Sequence, residues 1–374
     1  MTLLSPVDAA KAAEICYKAK VSPEQVKKDL KVVKGLKNNF DFGSMSNFNS
    51  RSGAFFKVTS GFGFVAKGNG GDYKNDYLVA IRGTAGVADG LTDANIGLQV
   101  SNTGKIVHAG FNRAFQDIAT HLQDRIPEGS NVHFCGHSLG GALATLAADW
   151  ATHRKGCNAK LYTFGSPRIG FKPFADRLTG TVGEENIYRV HRATDIVPMM
   201  PIWPFVHVPQ PGKTCRLANE GFYSPLRAHS ITNYAESLLG YQWNELITPE
   251  EMLNQKESVE DILSLGGLKV LGSAALSLIG RAIVYILKAA GVIVQGAFIA
   301  GFTVLDMLSL FLEKATKVSK QIAEWTRLLI NKIAKLAGIV ISETANLTVG
   351  FIKWIFQGMM NTLRSALRFA MFDF

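Results

Sequence analysis

The feature that most narrows the fold is five residues long. Gly136-His137-Ser138-Leu139-Gly140 follows a strand-like run, Asn131–Cys135, and precedes a run of small helix formers, Gly141-Ala142-Leu143-Ala144. A serine in that setting sits on a tight strand-to-helix turn that small flanking residues permit, with its hydroxyl exposed. The helix N-terminus behind it offers unpaired N–H groups and a positive dipole end. At ~7% each for Gly and Ser, a chance G-x-S-x-G in a chain of this length is roughly a one-in-ten event. The strand on one side and the helix on the other make coincidence far rarer. The chain is therefore expected to fold around a sheet that presents a nucleophilic serine at the carboxyl end of a strand.

The surrounding pattern agrees with such a sheet. Strand-like runs fall at Phe55–Ser60, Phe62–Ala66, Tyr77–Arg82, Lys160–Phe164 and Ile187–His191, and helical stretches such as Asn112–Arg125 and Gly141–His153 lie between the later ones. Alternation of this kind predicts an α/β fold with a largely parallel sheet. Residues 1–50 read as two short helices, each opened by a Ser-Pro pair (Ser5-Pro6 and Ser22-Pro23), followed by a polar loop. Near residue 246 the texture changes: Thr248-Pro249-Glu250-Glu251 reads as a helix start with a capping box, and strand signal then almost vanishes. The expected organisation is a hydrolase-like unit at 1–245 with its motifs within about 55–239, an acidic linker at 246–262, and an all-α region at 263–374.

A serine nucleophile needs a base and an orienting acid, which in this architecture follow it in the order Ser…Asp/Glu…His. Beyond the strand ending at His191, and any acid placed at its exit, only His207 and His229 remain. His207 lies in an apolar, proline-framed segment, whereas His229 lies in a loop just before a helical stretch, so His229 is the expected base. Asp149 and Asp176 fall on helical runs. Asp195 follows the strand Ile187–His191, at the sheet edge where ligands bind in open α/β sheets, and is the expected acid. Backbone N–H groups of Leu139 and Thr84 are the expected oxyanion donors, Thr84 because it follows the strand Tyr77–Arg82. Met199–Phe205, with Trp203 and Phe205, could line an acyl chain or simply pack as a loop.

These residues lie in segments that resemble the class 3 (fungal-type) lipase family: IRGT at 81–84, VHAGF at 107–111, GHSLGGALA at 136–144, YTFGSPRIG at 162–170, TDIVP at 194–198 and AHSITNY around His229. The resemblance implies an α/β-hydrolase fold, a Ser138–Asp195–His229 triad with an oxyanion hole at Thr84 and Leu139, and acyl-ester hydrolysis without metal or cofactor. It puts the family's lid at 85–106, a segment with no aromatic residue here. The chemistry implied is attack by Ser138 on an ester carbonyl as His229 takes its proton, then hydrolysis of the acyl-enzyme. A lipase or phospholipase A is the leading expectation, and a soluble carbohydrate-ester hydrolase a further reading.

Composition enters through the last third. The 374-residue chain has a formal charge of +10 and 19% charged residues, against about 25% in an average soluble domain. That excludes a disordered chain. From Ile262 onward there are 12 Lys/Arg and 5 Asp/Glu, a net +7, so the basic excess is concentrated there. Val270–Leu287 and Ala289–Leu305 are long apolar stretches near the length of a bilayer span and could form a helical hairpin. Glu313–Lys335 and Phe351–Met371 set basic faces against Trp, Phe and Leu faces, as interfacial helices do. The expected partner of 263–374 is a membrane surface rather than nucleic acid, since no binding motif accompanies the charge. A soluble bundle is the alternative, and a membrane-disrupting or pore-forming tail, with the esterase as accessory, another. The N-terminal segment lacks a basic-then-apolar leader, so synthesis in the cytoplasm is expected. Export by a dedicated secretion system as a bacterial effector would call for an inhibitory, immunity-type partner protein in the producing cell. Cys16, Cys135, Cys157 and Cys215 are too few and too scattered for a disulfide framework and are expected as thiols, with one disulfide as an outside reading.

Overall fold

The structure is a computed structural model that describes residues 1–20, 22–48, 62–83, 91, 97–210, 212–218, 225–249, 262–264, 267–292 and 302–371. Several expectations lie outside these residues: the strand at 55–60, the oxyanion donor Thr84, half of the lid segment, the acidic stretch 250–261 and the middle of the second apolar run.

The main sheet has eight strands among the described residues: β1 (Phe40–Phe48), β2 (Gly63–Gly68), β3 (Asp76–Ile81), β6 (Asn131–His137), β7 (Asn158–Phe164), β9 (Ile187–Arg192), β11 (Lys213–Leu217) and β12 (Ile247–Pro249), in the order β1-β2-β3-β6-β7-β9-β11-β12. The central strands β3, β6, β7, β9 and β11 run parallel, and both edges are antiparallel. A smaller antiparallel sheet joins β4 (Leu98–Val100), β5 (Ile106–His108), β8 (Gly170–Phe171) and β10 (Phe205–Val206). Buried on both faces, the central strands read as the apolar runs that marked them in the sequence.

Helices cover the sheet on both sides. They are α1 (Pro6–Ile15), α2 (Pro23–Leu30), α3 (Lys34–Asn39), α4 (Ala109–Gln123), α5 (Leu139–Arg154), α6 (Lys172–Val182), α7 (Pro225–His229), α8 (Ile231–Ser237) and α9 (Trp243–Leu246). The Ser-Pro signals act as read: Ser5 and Ser22 cap α1 and α2, accepting from the N–H of Asp8 and Gln25. On one face Phe134, Leu143 and Phe174 pack with α4–α6, and on the other Phe64, Tyr162 and Val190 pack with α1, α8 and α9.

Two expectations are corrected at the sheet edges. Residues 40–48, expected as polar loop, form strand β1, because Phe40, Phe42 and Phe48 are buried there while an irregular register between Asp41 and Ser46 interrupts the alternation that would have revealed it. Residues 247–249, expected at the start of a linker helix, form β12, which pairs with β11, so the sheet continues past residue 245.

The last third is helical: α10 (Ser273–Ala289), α11 (Val304–Ala315), α12 (Lys320–Leu336) and α13 (Val349–Met371). Thr303 and Asp306 form a capping box on α11, and the Asp306 carboxylate also pairs with Lys353 of α13 at 2.5 Å. Their apolar faces turn inward. Ile283, Leu308, Leu329, Ile355 and Phe356 belong to the same contiguous core as Val197, Met200 and Ile202 of the α/β part. At ~1.5–3 kcal/mol for each fully buried large side chain, this interface is a major part of the fold's stability. Among the described residues no helix is long and apolar enough to cross a membrane.

Candidate active site

Strand β6 runs straight into α5 with one residue between them. Ser138 holds φ 57° and ψ −130°, the single non-glycine residue with positive φ among those described. Such a conformation is costly and persists where neighbours enforce it. The glycines around it explain how: a Cβ on Gly136 would lie 2.2 Å from the Gly140 carbonyl oxygen, and one on Gly140 would lie 2.1 Å from that of Ile81. The turn can close only because both positions lack a side chain.

The Ser138 Oγ lies 2.9 Å from His229 Nε2, and the His229 Nδ1 lies 3.0 and 2.9 Å from the two Asp195 oxygens. Since a carboxylate only accepts, Nδ1–H donates to it and leaves the Nε2 lone pair facing the serine. All three side chains are buried. Three segments widely separated in sequence supply them: the elbow, the loop after β9, and the end of α7.

Asp195 is itself held. The Val197 N–H donates to one oxygen at 3.0 Å and the Tyr234 hydroxyl to the other at 2.8 Å. Burial and the adjacent Asp195 charge push the Tyr234 phenol well above its ordinary pKa, so it stays a donor. Tyr234 in turn accepts the Arg192 N–H at 3.2 Å, and the Arg192 guanidinium, stacked over its ring, ties the end of β9 to Asn233 and Ser237 of α8. Tyr234 and Arg192 were not among the expected site residues; the one signal available was that Tyr234 ends the same AHSITNY segment as His229.

Leu139 opens α5, so its N–H belongs to the first-turn amides that lack an intrahelical partner. Thr84 lies outside the described residues. Gly83, next to it, stands beside the elbow: a Cβ there would lie 3.1 Å from the Ser138 Cβ.

Trp203 and Phe205 sit elsewhere. Both line an open cavity of about 680 Å³ whose other side is lined by α10, and Ser138, Asp195 and His229 are absent from its wall. Trp203 also meets Phe311 of α11 edge-on, while Phe205 packs against Phe171 in the small sheet. The cavity's cationic lining includes Arg168, Arg189 and Arg216, and together with burial these charges push His191 and His207 well below the ordinary histidine pKa. That fits His207 as a structural group rather than a base.

The arrangement can take a proton from a hydroxyl, hold the resulting imidazolium, and return the proton to a leaving group. Residues 78–205 match the family model for lipase (class 3). A secreted mono- and diacylglycerol lipase 1 of Fusarium solani is 33% identical over 158 residues, covering 40% of this chain and 46% of that protein. Phospholipase A1-II 1 of Oryza sativa subsp. indica is 26% identical over 228 residues, covering 50% and 57%. The solved lipase II from Rhizopus niveus is 21% identical, covers 56% of this chain and 78% of its own, and has a TM-score of 0.40. This chain spans about half the length of the curated relatives it matches.

Proposed function

We infer, from the premise that this chain belongs to the class 3 lipase family, that it hydrolyses acyl esters of glycerolipids. The observation that carries this reading is the Ser138–His229–Asp195 contact chain, with 2.9 Å between Oγ and Nε2. Ser138 attacks the ester carbonyl while His229 accepts its proton. The Leu139 N–H, with a second donor expected from Thr84, stabilises the oxyanion, and His229 then protonates the departing alcohol. Asp195 holds the imidazole tautomer throughout. A water activated by the same histidine releases the fatty acid and restores the serine.

Residues 263–374 serve, in this reading, to bring the active site to an anionic lipid surface. Supporting it, the outward faces of the C-terminal helices combine Lys288, Lys314 and Lys335 with large exposed apolar residues, Val284, Leu328 and Trp354 among them. Their inward faces are committed to the hydrolase core, which favours docking over insertion.

The test offers phosphatidylglycerol vesicles, phosphatidylcholine vesicles, diacylglycerol and a short soluble p-nitrophenyl ester to wild type and Ser138→Ala. Fatty acid release by wild type, faster on the anionic vesicles and absent in the variant, is expected. Cleavage of the soluble ester with no lipid hydrolysed refutes the lipid assignment. Equal rates on both vesicle types refute the surface role, and vesicle leakage that survives Ser138→Ala transfers the activity to the tail.

A further inference from the structure

Ahead of the 78–205 region, a tyrosine reaches the triad from behind. Tyr17 lies in a 3-10 turn, Cys16–Lys20, that follows α1. Its hydroxyl is 2.7 Å from His137 Nδ1 and packs against Gly83. The other ring nitrogen of His137, Nε2, is 2.7 Å from the carbonyl oxygen of His229, the catalytic base.

The directions of these bonds follow from elementary inventory. A carbonyl oxygen only accepts, so His137 Nε2 carries a proton and donates it to the His229 backbone. Burial and the neighbouring His229 hold the His137 pKa well below its usual value, so the ring is neutral and Nδ1 is a bare lone pair. The Tyr17 O–H must then donate to Nδ1. The two bonds run in one sense: Tyr17 O–H to His137, and His137 N–H to the His229 carbonyl.

The three elements that meet here bear directly on the chemistry. Gly83 precedes the expected oxyanion donor, His137 adjoins the nucleophile, and the His229 carbonyl belongs to the base. Resting on the proposed role of Ser138 and His229, we propose that Tyr17 is a positioning residue that sets the mutual register of oxyanion strand, nucleophile and base. The fit leaves no slack, because a Cβ on Gly83 would lie 2.3 Å from the Tyr17 oxygen. Removing the hydroxyl strands the buried Nδ1 lone pair of His137, and the cheapest relief is movement of His137, which carries the His229 backbone with it.

The experiment compares wild type, Tyr17→Phe, His137→Phe and the double variant. It measures steady-state hydrolysis of p-nitrophenyl butyrate, the fraction of protein labelled by a fluorophosphonate at Ser138, and the labelling rate. Wild-type labelling at Ser138 checks the underlying function separately; its absence overturns that reading and this one together. For Tyr17→Phe the expected result is near-complete labelling, a labelling rate and kcat lowered about 10- to 100-fold, and KM within about twofold, as misplacement of reacting groups predicts. The double variant should be no slower than the slower single one, since both break one chain. Rates within twofold of wild type overturn the positioning role while leaving the hydrolase reading intact. So does a fall in activity matched by the labelled fraction alone, with the remaining sites reacting at the wild-type rate. If Tyr17→Phe does not fold, His137→Phe applies the same criteria from the other end of the chain.

Discussion

Gly165 offers the most direct handle on the acid–base pair. It holds φ +54°, and a Cβ placed on it would lie 2.8 Å from Asp195 Oδ2, 3.1 Å from His229 Nδ1 and 3.3 Å from His229 Cε1. Gly165→Ala thus drives a methyl group into the contact that holds the imidazole. Left-handed backbone costs a non-glycine residue roughly 1–2 kcal/mol. The clash adds to this, because carbon–oxygen and carbon–nitrogen contacts need about 3.4 Å, so carboxylate or ring must retreat by several tenths of an ångström. A total loss of about 2–3 kcal/mol in stability follows, within the usual range for a strained buried site. The kinetic effect is larger than the stability effect suggests. A misplacement approaching 1 Å costs about 10²-fold in rate, so kcat on p-nitrophenyl butyrate should fall about 30- to 300-fold with KM little changed. Gly180→Ala in α6 is the control, since nothing lies within 4 Å of its Cβ, and it should leave both rate and melting temperature near wild type. If Gly165→Ala retains kcat within threefold and melts with wild type, the placement of Asp195 and His229 against this glycine is wrong.

Three further outcomes can be checked independently. Tyr234→Phe removes one of the bonds to Asp195 and orphans the Arg192 N–H, so kcat should drop about 10- to 150-fold, in line with ~1.5–3 kcal/mol for a hydrogen bond to a charged group; unchanged kinetics would show that Val197 and His229 suffice to hold the acid. Asp149, buried in α5 beside Thr103, has its pKa raised to about 6, chiefly by burial and partly offset by the Thr103 hydroxyl. The folded state therefore binds more protons than the unfolded one between about pH 4 and 6, and stability from this group is present at low pH and lost as pH rises through 6. Asp149→Asn should raise the unfolding free energy from denaturant titration at pH 7 by roughly 1–3 kcal/mol, and should lose that advantage near pH 4; a gain that grows on acidification contradicts the assignment. Ile283→Ala, at a fully buried position of α10, should cost about 2–5 kcal/mol and lower the melting temperature of the whole chain in a single calorimetric transition, because α10 shares its core with the α/β part. Separate transitions would mean that the helical region folds by itself.

The elbow was legible because everything that makes it is local: a strand, two glycines that cannot bear a side chain, and a helix start lie within a dozen residues. The order of acid and base was legible because Asp195 directly follows a strand and His229 lies beyond the other histidines. What the chain could not display was whether those atoms meet, since Ser138 and His229 are 91 residues apart and their 2.9 Å separation depends on how three segments pack. The supporting residues were hidden for a related reason. Tyr17, Tyr234 and Arg192 act through hydrogen bonds to groups far away in sequence, and a lone tyrosine or arginine carries no periodicity. The edge strands escaped for another: β1 breaks its own alternation at an irregular register, and β12 is too short to have any.

The last third shows the division most clearly. Its basic excess, its apolar runs and the helical spacing of Glu313–Lys335 and Phe351–Met371 are properties of the sequence by itself. The direction in which the apolar faces look is not. An amphipathic helix has the same 3.6-residue period whether it lies on a bilayer or on its own protein, because periodicity records only that one face avoids water. The tertiary structure turns Ile355, Phe356 and Leu363 against the rest of the core and leaves Trp354 half-exposed on the opposite side. Local preference chose the elements and the serine's turn; the competition among apolar faces for one core decided which surfaces remained, and so how nucleophile, base and acid came to lie in line.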